Sequence, residues 1–309
     1  MTSSAVVVGI ATFKRPGLLK ELLESLRDQQ DAESFDVLVV DNDPECSARQ
    51  TVEEFAARSP LTVRYLVEGR PGIAAARNKV LEHSQTYDRL LIIDDDEVAG
   101  HRWIASSLEG LDTTGATMVH GEVRYAYPQG TPRWITEGGY FINPVLPNEA
   151  ELPFAATNNL AIDLVKMRAL GNFRFDDQLG LAGGSDLLFT GTVHAAGGVI
   201  KWWPAASVTE IVPPERVKPR WVLTRAIRAG ESQANSSLLR GRPSFALRLS
   251  LMLYAITRLV GGAGLAAVGL LTANQGRCGT GLRHVLRGVG FIRAILGYRV
   301  QEYQRRDTD

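Results

Sequence analysis

The stretch AVVVGIATFKRPGLLKELLESLRDQQDAESFDVLVVDND, residues 5–43, decides the fold class. It opens with an apolar, β-branched run over residues 5–11, which is typical of a buried strand. Leucines at helical spacing follow Pro16, and a second apolar run ends at Asp41. A strand, a helix and a strand in this order predict a parallel βαβ unit.

The alternation continues beyond this unit. The pattern predicts a helix over residues 46–58, a strand over 61–67, a helix over 73–83 and a strand over 89–93. We therefore expect an α/β protein with a mostly parallel sheet covered by helices on both faces. Ligands bind such sheets beyond the carboxyl ends of the strands. Polar groups at four of these ends are Thr12 to Arg15, Asp41 to Asp43, Arg70, and Asp94 to Glu97.

The charge is distributed unevenly along the 309 residues, although the formal net charge is zero. Residues 1–212 carry 18 basic and 29 acidic side chains, whereas residues 213–309 carry 16 basic and 5 acidic ones. The acidic part suits cation chemistry, and the basic part suits a diphosphate or an anionic membrane surface. Basic stripes rich in aromatic residues are absent, so nucleic acid is not an expected partner.

Cysteine usage and the start of the chain bear on the compartment. Cys46 and Cys278 form neither a disulfide framework nor a metal motif. The first residues lack the charged and apolar regions of a secretory signal. We expect a cytoplasmic protein.

The acidic triplet Asp94-Asp95-Asp96 follows a predicted buried strand. Three adjacent carboxylates repel one another unless a cation lies near them. Oxygen ligands select Mg²⁺ or Mn²⁺, and either ion can bridge phosphates. An isolated triplet is often only a solvated turn, but its place among the other polar strand ends favours a metal and diphosphate site.

Several motifs together resemble a known family. They are GIATFKRP (residues 9–16), VDND (40–43), GIAAARN (72–78), the DXD-like triplet 94–96, GGSD (183–186) and VPPER (212–216). In order and spacing the chain resembles the family 2 glycosyltransferases of the GT-A fold over roughly residues 5–230. It is most similar to bacterial exopolysaccharide enzymes of the succinoglycan glucosyltransferase type.

The resemblance implies a nucleoside diphosphate sugar donor, with a UDP-sugar favoured, and a Mn²⁺ or Mg²⁺ ion. Asp96 would be the direct metal ligand, with Asp94 and Glu210 as further ligands. Asp41 would accept a hydrogen bond from the base. The residues implied in nucleotide-sugar binding are Thr12, Arg15, Asp41, Asp43, Arg70, Arg77, Asp94, Asp95, Asn158 and Arg216. For Arg70 and Arg77, a surface helix charge is the alternative. For Arg216, the alternative is a solvated or membrane-facing basic helix.

An inverting transfer needs a base that takes the proton from the acceptor hydroxyl. The resemblance implies Asp186 as this catalytic residue. Ser185 stands where relatives usually have Glu, so the neighbour that would tune the base is a hydroxyl. The alternative role of Asp186 is a carboxylate that stabilises the first turn of a helix. Asp176 and Asp177 are the other candidate bases.

The C-terminal region differs in character from the rest. We divide the chain into a GT-A glycosyltransferase domain, residues 1–240, and a helical, basic and apolar region, residues 241–309. Helices lying in an anionic membrane interface fit this pattern, because Arg248 and Arg258 interrupt the apolar run. We therefore expect peripheral association with the inner face of the cell membrane. Packing on itself or against a second copy, as a homodimer, is the alternative.

We expect an inverting glycosyltransferase that makes a polysaccharide, glycolipid or other glycoconjugate. Its acceptor would be a glycan, a lipid-linked glycan or a small molecule, recognised by the loop region over 128–148. A sugar nucleotidyltransferase would need a glycine-rich loop after the first strand, and residues 11–16 lack it. A sugar-binding or scaffold subunit that has lost catalysis is the remaining alternative, and Ser185 favours it.

Overall fold

The computed structural model describes residues 6–141, 146–177, 184–239 and 244–298. Within them the chain forms two compact units. The first comprises residues 6–124 and 146–211, and the second comprises residues 125–141 and 212–298.

The strands and helices follow the alternation that the sequence predicts. The strands are β1 (Val6–Thr12), β2 (Phe35–Asp41), β3 (Thr62–Val67), β4 (Arg89–Asp94), β5 (Glu97–Ala99), β6 (Met118–His120), β7 (Val123–Ala126), β8 (Asn159–Asp163), β9 (Ile200–Trp202) and β10 (Val208–Ile211). The helices are α1 (Pro16–Arg27), α2 (Arg49–Ala56), α3 (Ile73–His83), α4 (Trp103–Thr114), α5 (Arg133–Thr136), α6 (Leu164–Leu170), α7 (Ser185–Ala195), α8 (Pro219–Leu239), α9 (Phe245–Leu271) and α10 (Gln275–Ile295). A short 3-10 helix, Pro214–Val217, precedes α8.

The first unit is built on a seven-stranded sheet in the order β3-β2-β1-β4-β8-β6-β9. The first four strands of this order are parallel, and β8 is antiparallel to its neighbours β4 and β6. A smaller sheet has the order β5-β10-β7. The α/β fold with a mostly parallel sheet is therefore confirmed.

Apolar side chains of the central strands are buried on both faces of the large sheet. On one face Val7, Leu38, Leu90 and Ile162 share a core with residues of α3, α6 and α7. The alternate residues of the same strands, such as Val8 on β1, are just as deeply buried. Because successive side chains of a strand point to opposite faces, such continuous apolar runs require cover on both sides.

Strand register brings the polar strand ends together. Thr12 lies beside Asp41 on β2, and the preceding Ala11 lies beside Asp94 on β4. Asp41 in turn lies beside Val67, the last residue of β3. The carboxyl ends of four parallel strands therefore form one rim, as the alternation of strands and helices predicts.

The second unit begins at residue 212, earlier than the predicted boundary at 240/241, and it also takes in residues 125–141. The reason is packing: α8 lies along α10, and α10 also contacts α5. The predicted loop region over 128–148 therefore contains a helical turn, although residues 142–145 lie outside the described residues.

The apolar C-terminal run forms a single helix of 27 residues, α9, which Arg248 and Arg258 do not interrupt. The next helix, α10, begins at Gln275, where Asn274 caps it by accepting a hydrogen bond from the amide of Arg277. Glycines allow α9 and α10 to approach closely. A Cβ added to Gly281 would lie 2.3 Å from the backbone nitrogen of Ala266.

Two glycine substitutions on this helix pair should shift stability in opposite directions. Gly281→Ala should lower the free energy of unfolding by about 1–3 kcal/mol, because the added methyl group meets backbone atoms that have no room to move. Gly264→Ala, on α9, should raise it by about 0.5–1 kcal/mol, because a Cβ there meets nothing within 4 Å and alanine favours a helix. Thermal and urea unfolding of the full chain measure both. A Gly281→Ala protein as stable as Gly264→Ala would contradict the close contact.

Candidate active site

The acidic triplet forms a tight turn between two strands. Asp94 ends β4, Asp95 and Asp96 make the turn, and Glu97 begins β5. All of them except Asp94 are buried. The backbone of Asp96 accepts a hydrogen bond from the amide of Ile211, which ties the turn to β10. The structure therefore holds four consecutive carboxyl groups at the rim of the sheet.

Two residues from the end of β1 bind this turn. The Thr12 hydroxyl donates to Asp95 Oδ2 at 2.7 Å. Nη1 of Arg15 lies 3.1 Å from Asp95 Oδ1 and 3.1 Å from Asp96 Oδ2. The side chain of Arg15 remains 40% exposed, so it also faces solvent. Thr12 and Arg15 thus meet two of the acidic residues with which the sequence grouped them.

Arg77 approaches the turn from α3. Its buried guanidinium donates to Asp94 Oδ1 at 3.0 Å and lies 5.9 Å from the ring centre of Phe175. Its neighbour Asn78 donates to the carbonyl of Phe175 at 2.9 Å and to Asp177 Oδ1 at 3.0 Å. The alternative of a surface helix charge is wrong for Arg77, because its side chain is only 8% exposed.

Glu97 is a residue of this site that the sequence placed at the rim without assigning it a role. It is 1% exposed, and its carboxylate accepts from the amide of Asp94 at 3.2 Å and from Asn158 Nδ2 at 2.9 Å. Glu210 lies beside it on β10 in the strand register. Burial, followed by the charge of Asp94, raises the pKa of Glu97 well above its usual range. Its position next to the triplet was the available signal.

The carboxyl group of Asp95 also has a raised pKa. Burial raises its pKa to about 6, the charge of Asp96 adds to the rise, and Arg15 partly offsets it. A buried group of carboxyl groups with raised pKa values is a frequent feature of functional sites. Positive charge brought to this turn is therefore favoured electrostatically.

The donor atoms suit a metal ion that is shared with a ligand. Among residues 6–141, 146–177, 184–239 and 244–298, no group of three or more His, Cys, Asp and Glu side chains could hold a metal. Mg²⁺ in nucleotide sites usually takes one or two carboxylates and completes its shell with phosphate oxygens and water. Asp94 and Asp96 provide such a partial set, so these residues fit the implied ion.

The end of β2 shapes the next part of the rim. Asp41 accepts from the amides of Asp43 and Ala48 and from the Tyr65 hydroxyl, so three of about four acceptor positions are used inside the protein. Asn42 donates to the carbonyls of Glu68 and Arg70. These bonds explain why Asp41, Asn42 and Asp43 are all buried. The hydrogen bond from Asp41 to a base stays a prediction.

Arg70 follows β3 on an ordered loop. Its guanidinium pairs with Glu68 at 3.1 Å and with Asp177 at 3.3 Å. Asp177, one of the alternative bases, is thus engaged by Arg70 and Asn78 while 53% exposed. The structure brings Arg70, Arg77 and Asp177 into one connected group through Asn78.

Asp186 is the second residue of α7, and Gly183 of its motif lies outside the described residues. Its Oδ1 accepts from the amide of Leu187 at 3.0 Å, which leaves the second oxygen without a described partner. One turn further along α7, Phe189 stacks on Phe175 with 4.1 Å between ring centres. Phe175 also lies against Arg77, so packing links α7 to the Arg77–Asp94 pair.

Asn158 and Asn159 differ in role. Asn158 faces Glu97, whereas Asn159 is buried and its side chain binds Trp103 Nε1 and the carbonyls of Glu122 and Ala206. The side chain of Asn159 is thus engaged inside the protein. Arg216 lies in the second unit, on the 3-10 helix, with its guanidinium 5.9 Å from the ring centre of Trp221.

Sequence comparisons agree with this geometry. The family described as "Glycosyl transferase family 2" matches residues 7–175. The chain is 33% identical over 304 residues to the succinoglycan biosynthesis protein ExoM of Rhizobium meliloti, covering 97% of this chain and 96% of that protein. It is 26% identical over 133 residues to the glycosyltransferase AglE of Haloferax volcanii, covering 42% of this chain and 43% of that protein.

Solved structures share the fold. The mannosyltransferase PcManGT of Pyrobaculum calidifontis, solved with GDP-Man and Mn²⁺, has a TM-score of 0.64 at 19% identity. The match covers 94% of this chain and 86% of PcManGT. TarS 1–349 of S. aureus, solved with UDP, has a TM-score of 0.51 at 16% identity, and the match covers 93% of this chain and 91% of that structure. The chain spans 54% of a longer TarS structure. By family profile and by its likeness to ExoM, this chain belongs to the glycosyl transferase family 2.

Proposed function

We propose that this family 2 glycosyltransferase moves a sugar from a nucleoside diphosphate onto an acceptor hydroxyl, with inversion at the anomeric carbon, in polysaccharide biosynthesis. The observation that carries the proposal is the turn Asp94 to Asp96, bound by Arg15 and Arg77 at the rim of the parallel sheet. The succinoglycan relative supports a polysaccharide product, and the UDP and GDP-Man complexes of structural neighbours support a nucleotide donor.

The departing nucleoside diphosphate gains negative charge, which the site must stabilise. Asp94 and Asp96 would hold a Mn²⁺ or Mg²⁺ ion, with Glu210 near it, and the ion supplies charge stabilisation for the leaving group when bound. Arg15 and Arg77 already lie against these carboxylates. Guanidinium groups bind phosphate oxygens well, so both arginines also suit the diphosphate.

Asp186 is the proposed base. Its position at the start of α7 leaves one carboxylate oxygen without a described partner, and the helix packs through Phe189 and Phe175 toward Arg77. Asp177 is a weaker candidate because Arg70 and Asn78 engage its oxygens. The base accepts the proton of the acceptor hydroxyl as the hydroxyl oxygen attacks the anomeric carbon. The bond between that carbon and the diphosphate oxygen breaks, and the nucleoside diphosphate leaves.

The exposed face of α9 supports peripheral membrane association. Among the described residues, α9 is the one helix long and apolar enough to cross a membrane, yet only 11% of its most apolar window is buried. Exposed side chains recur along one face: Phe245, Leu249, Leu253, Ile256 and Val260. We call this set the α9 stripe.

The arginines of α9 lie away from this stripe. Arg248 donates to the carbonyl of Ile295 and Arg258 contacts His284, so each reaches toward α10. Up to Arg258 the helix therefore has an exposed apolar face and a second side that carries its two arginines toward α10. Such a helix suits a position in the plane of the membrane interface rather than across the bilayer.

Nucleotide binding should depend on a divalent ion. UDP or GDP with Mn²⁺ should raise the melting temperature by several degrees, since a ligand at 100 times its Kd stabilises by about 2.7 kcal/mol. The shift should vanish in EDTA and in Asp96→Asn, but persist in Asp112→Asn, an exposed carboxylate of α4. Equal shifts in EDTA and Mn²⁺ would contradict a shared metal.

Loss of the base should separate chemistry from binding. Asp186→Asn should keep the nucleotide-induced thermal shift but slow the release of nucleoside diphosphate from a nucleotide sugar by about 10²–10⁴-fold. Water serves as acceptor in this assay. Asp177→Asn is the matched variant, and a larger loss there than in Asp186→Asn would assign the base to Asp177.

The α9 stripe should control flotation with vesicles. Leu253→Asn with Val260→Asn should reduce binding to phosphatidylglycerol vesicles by at least about tenfold, because each large apolar side chain contributes about 1.5–3 kcal/mol when buried. Val165→Asn with Leu170→Asn, exposed on α6, is the control and should float like the wild type. A wild-type chain that stays entirely at the bottom of the gradient would exclude membrane association.

A further inference from the structure

Four arginines of the second unit form a group that the proposed transfer reaction does not use. We call Arg225 of α8, Arg258 of α9, and Arg283 and Arg287 of α10 the arginine cluster. Burial, followed by the charges of the other three, lowers the pKa of Arg287 to about 10. Burial and then the charge of Arg258 lower the pKa of Arg283. Like charges are thus held close together.

Close helix packing keeps the cluster together. A Cβ added to Gly230 on α8 would lie 2.2 Å from the carbonyl oxygen of Arg287. The guanidinium of Arg283 lies against Gly139, where an added Cβ would be 3.2 Å from its central carbon. The backbones of α8 and α10 thus meet at Gly230, and the guanidinium of Arg283 packs directly on Gly139. The cluster is therefore built into the fold of the second unit.

No described carboxylate neutralises the cluster. Residues 244–298 contain neither Asp nor Glu. Within the described part of the second unit, Glu137 pairs with Arg133, Glu231 pairs with Arg293, and Glu215 lies on the 3-10 helix. Partly buried positive charge without an opposite charge is costly, and a bound anion would compensate it.

Hydrogen-bond donors in the same place are also unsatisfied. The Nε atoms of Arg258, Arg283 and Arg287 are buried with no partner among the described residues, and so is the hydroxyl of Tyr140. Arg283 and Tyr140 interact electrostatically, so these donors lie near one another. A buried donor without an acceptor costs about 1–3 kcal/mol, more when it is charged.

His284 orients one member of the cluster. Nη1 of Arg258 lies 2.7 Å from Nδ1 of His284. A guanidinium can only donate, so this ring nitrogen accepts. Burial and the neighbouring arginines lower the pKa of His284, which keeps the ring neutral at pH 7. The contact therefore positions Arg258 without adding negative charge.

We propose that the arginine cluster and Tyr140 bind a phosphate or diphosphate group in the second unit. The site offers donors and positive charge but no carboxylate, which excludes a metal ion and favours a small anion with several acceptor oxygens. Arginine forks match phosphate oxygens in geometry, and more than one guanidinium suits an anion of charge −2 or greater. The group belongs either to a soluble compound or to a lipid.

The test uses the full chain with inorganic pyrophosphate in EDTA. Pyrophosphate should raise the melting temperature and bind by calorimetry, and Arg283→Gln and Arg287→Gln should each weaken binding by at least about tenfold, equivalent to 1.4 kcal/mol. Arg277→Gln, an exposed arginine of the same helix, should bind like the wild type. If either α10 variant loses its far-UV circular dichroism and is therefore unfolded, Arg258→Gln replaces it and should weaken pyrophosphate binding in the same way.

Two further arms define the site and its ligand. Arg15→Gln should leave pyrophosphate binding intact, and loss there together with retention in Arg287→Gln would overturn the proposal. Binding to vesicles with phosphatidic acid, compared with binding to vesicles with phosphatidylglycerol, shows whether the phosphate group belongs to a lipid. A preference for phosphatidic acid that Arg287→Gln removes assigns a lipid phosphate, whereas pyrophosphate binding without that preference assigns a soluble one. Binding of neither probe would exclude the site.

Discussion

Four consecutive carboxyl groups, Asp94 to Glu97, lie where β4 reaches the rim of the sheet, and their mutual repulsion constrains the residues that surround them. Arg15 arrives from the end of β1 and Arg77 from α3, so the elements before β4 supply the compensating charge. Burial works against ionisation and raises the pKa values of Asp95 and Glu97. The fold thus holds a site in which added positive charge is stabilised.

This constraint connects structure with chemistry. A nucleoside diphosphate that leaves during transfer needs positive charge where its own negative charge develops. In the proposed reaction, the acidic turn would hold a divalent ion at that point, and Arg15 and Arg77 would add guanidinium charge. The same arginines link the turn to the rest of the site, because Arg77 packs on Phe175 and Phe175 stacks on Phe189 of α7. The proposed base is therefore carried by a helix that is packed, through two aromatic rings, toward the acidic turn.

The second unit presents the opposite electrostatic situation. Its helices concentrate arginine with few carboxylates, and glycines at the helix contacts bring the arginine cluster close together. One side of α9 meets this basic core, while the α9 stripe remains exposed. An anion bound by the arginine cluster would compensate its partly buried positive charge. A membrane interface would remove the apolar side chains of the α9 stripe from water.

Local sequence determined the order and type of most strands and helices, because the periodicity of apolar residues depends only on neighbours along the chain. The βαβ alternation, the rim at four strand ends and the family motifs, including Asp94 to Asp96, were all readable from the chain. Tertiary structure alone decided which distant partners meet. Arg77 is buried against Asp94, Asn159 accepts a hydrogen bond from Trp103, and α8 packs along α10. It also decided that Arg258 faces α10 while the α9 stripe stays exposed. Such pairings depend on which distant segments pack together, and no local pattern records that.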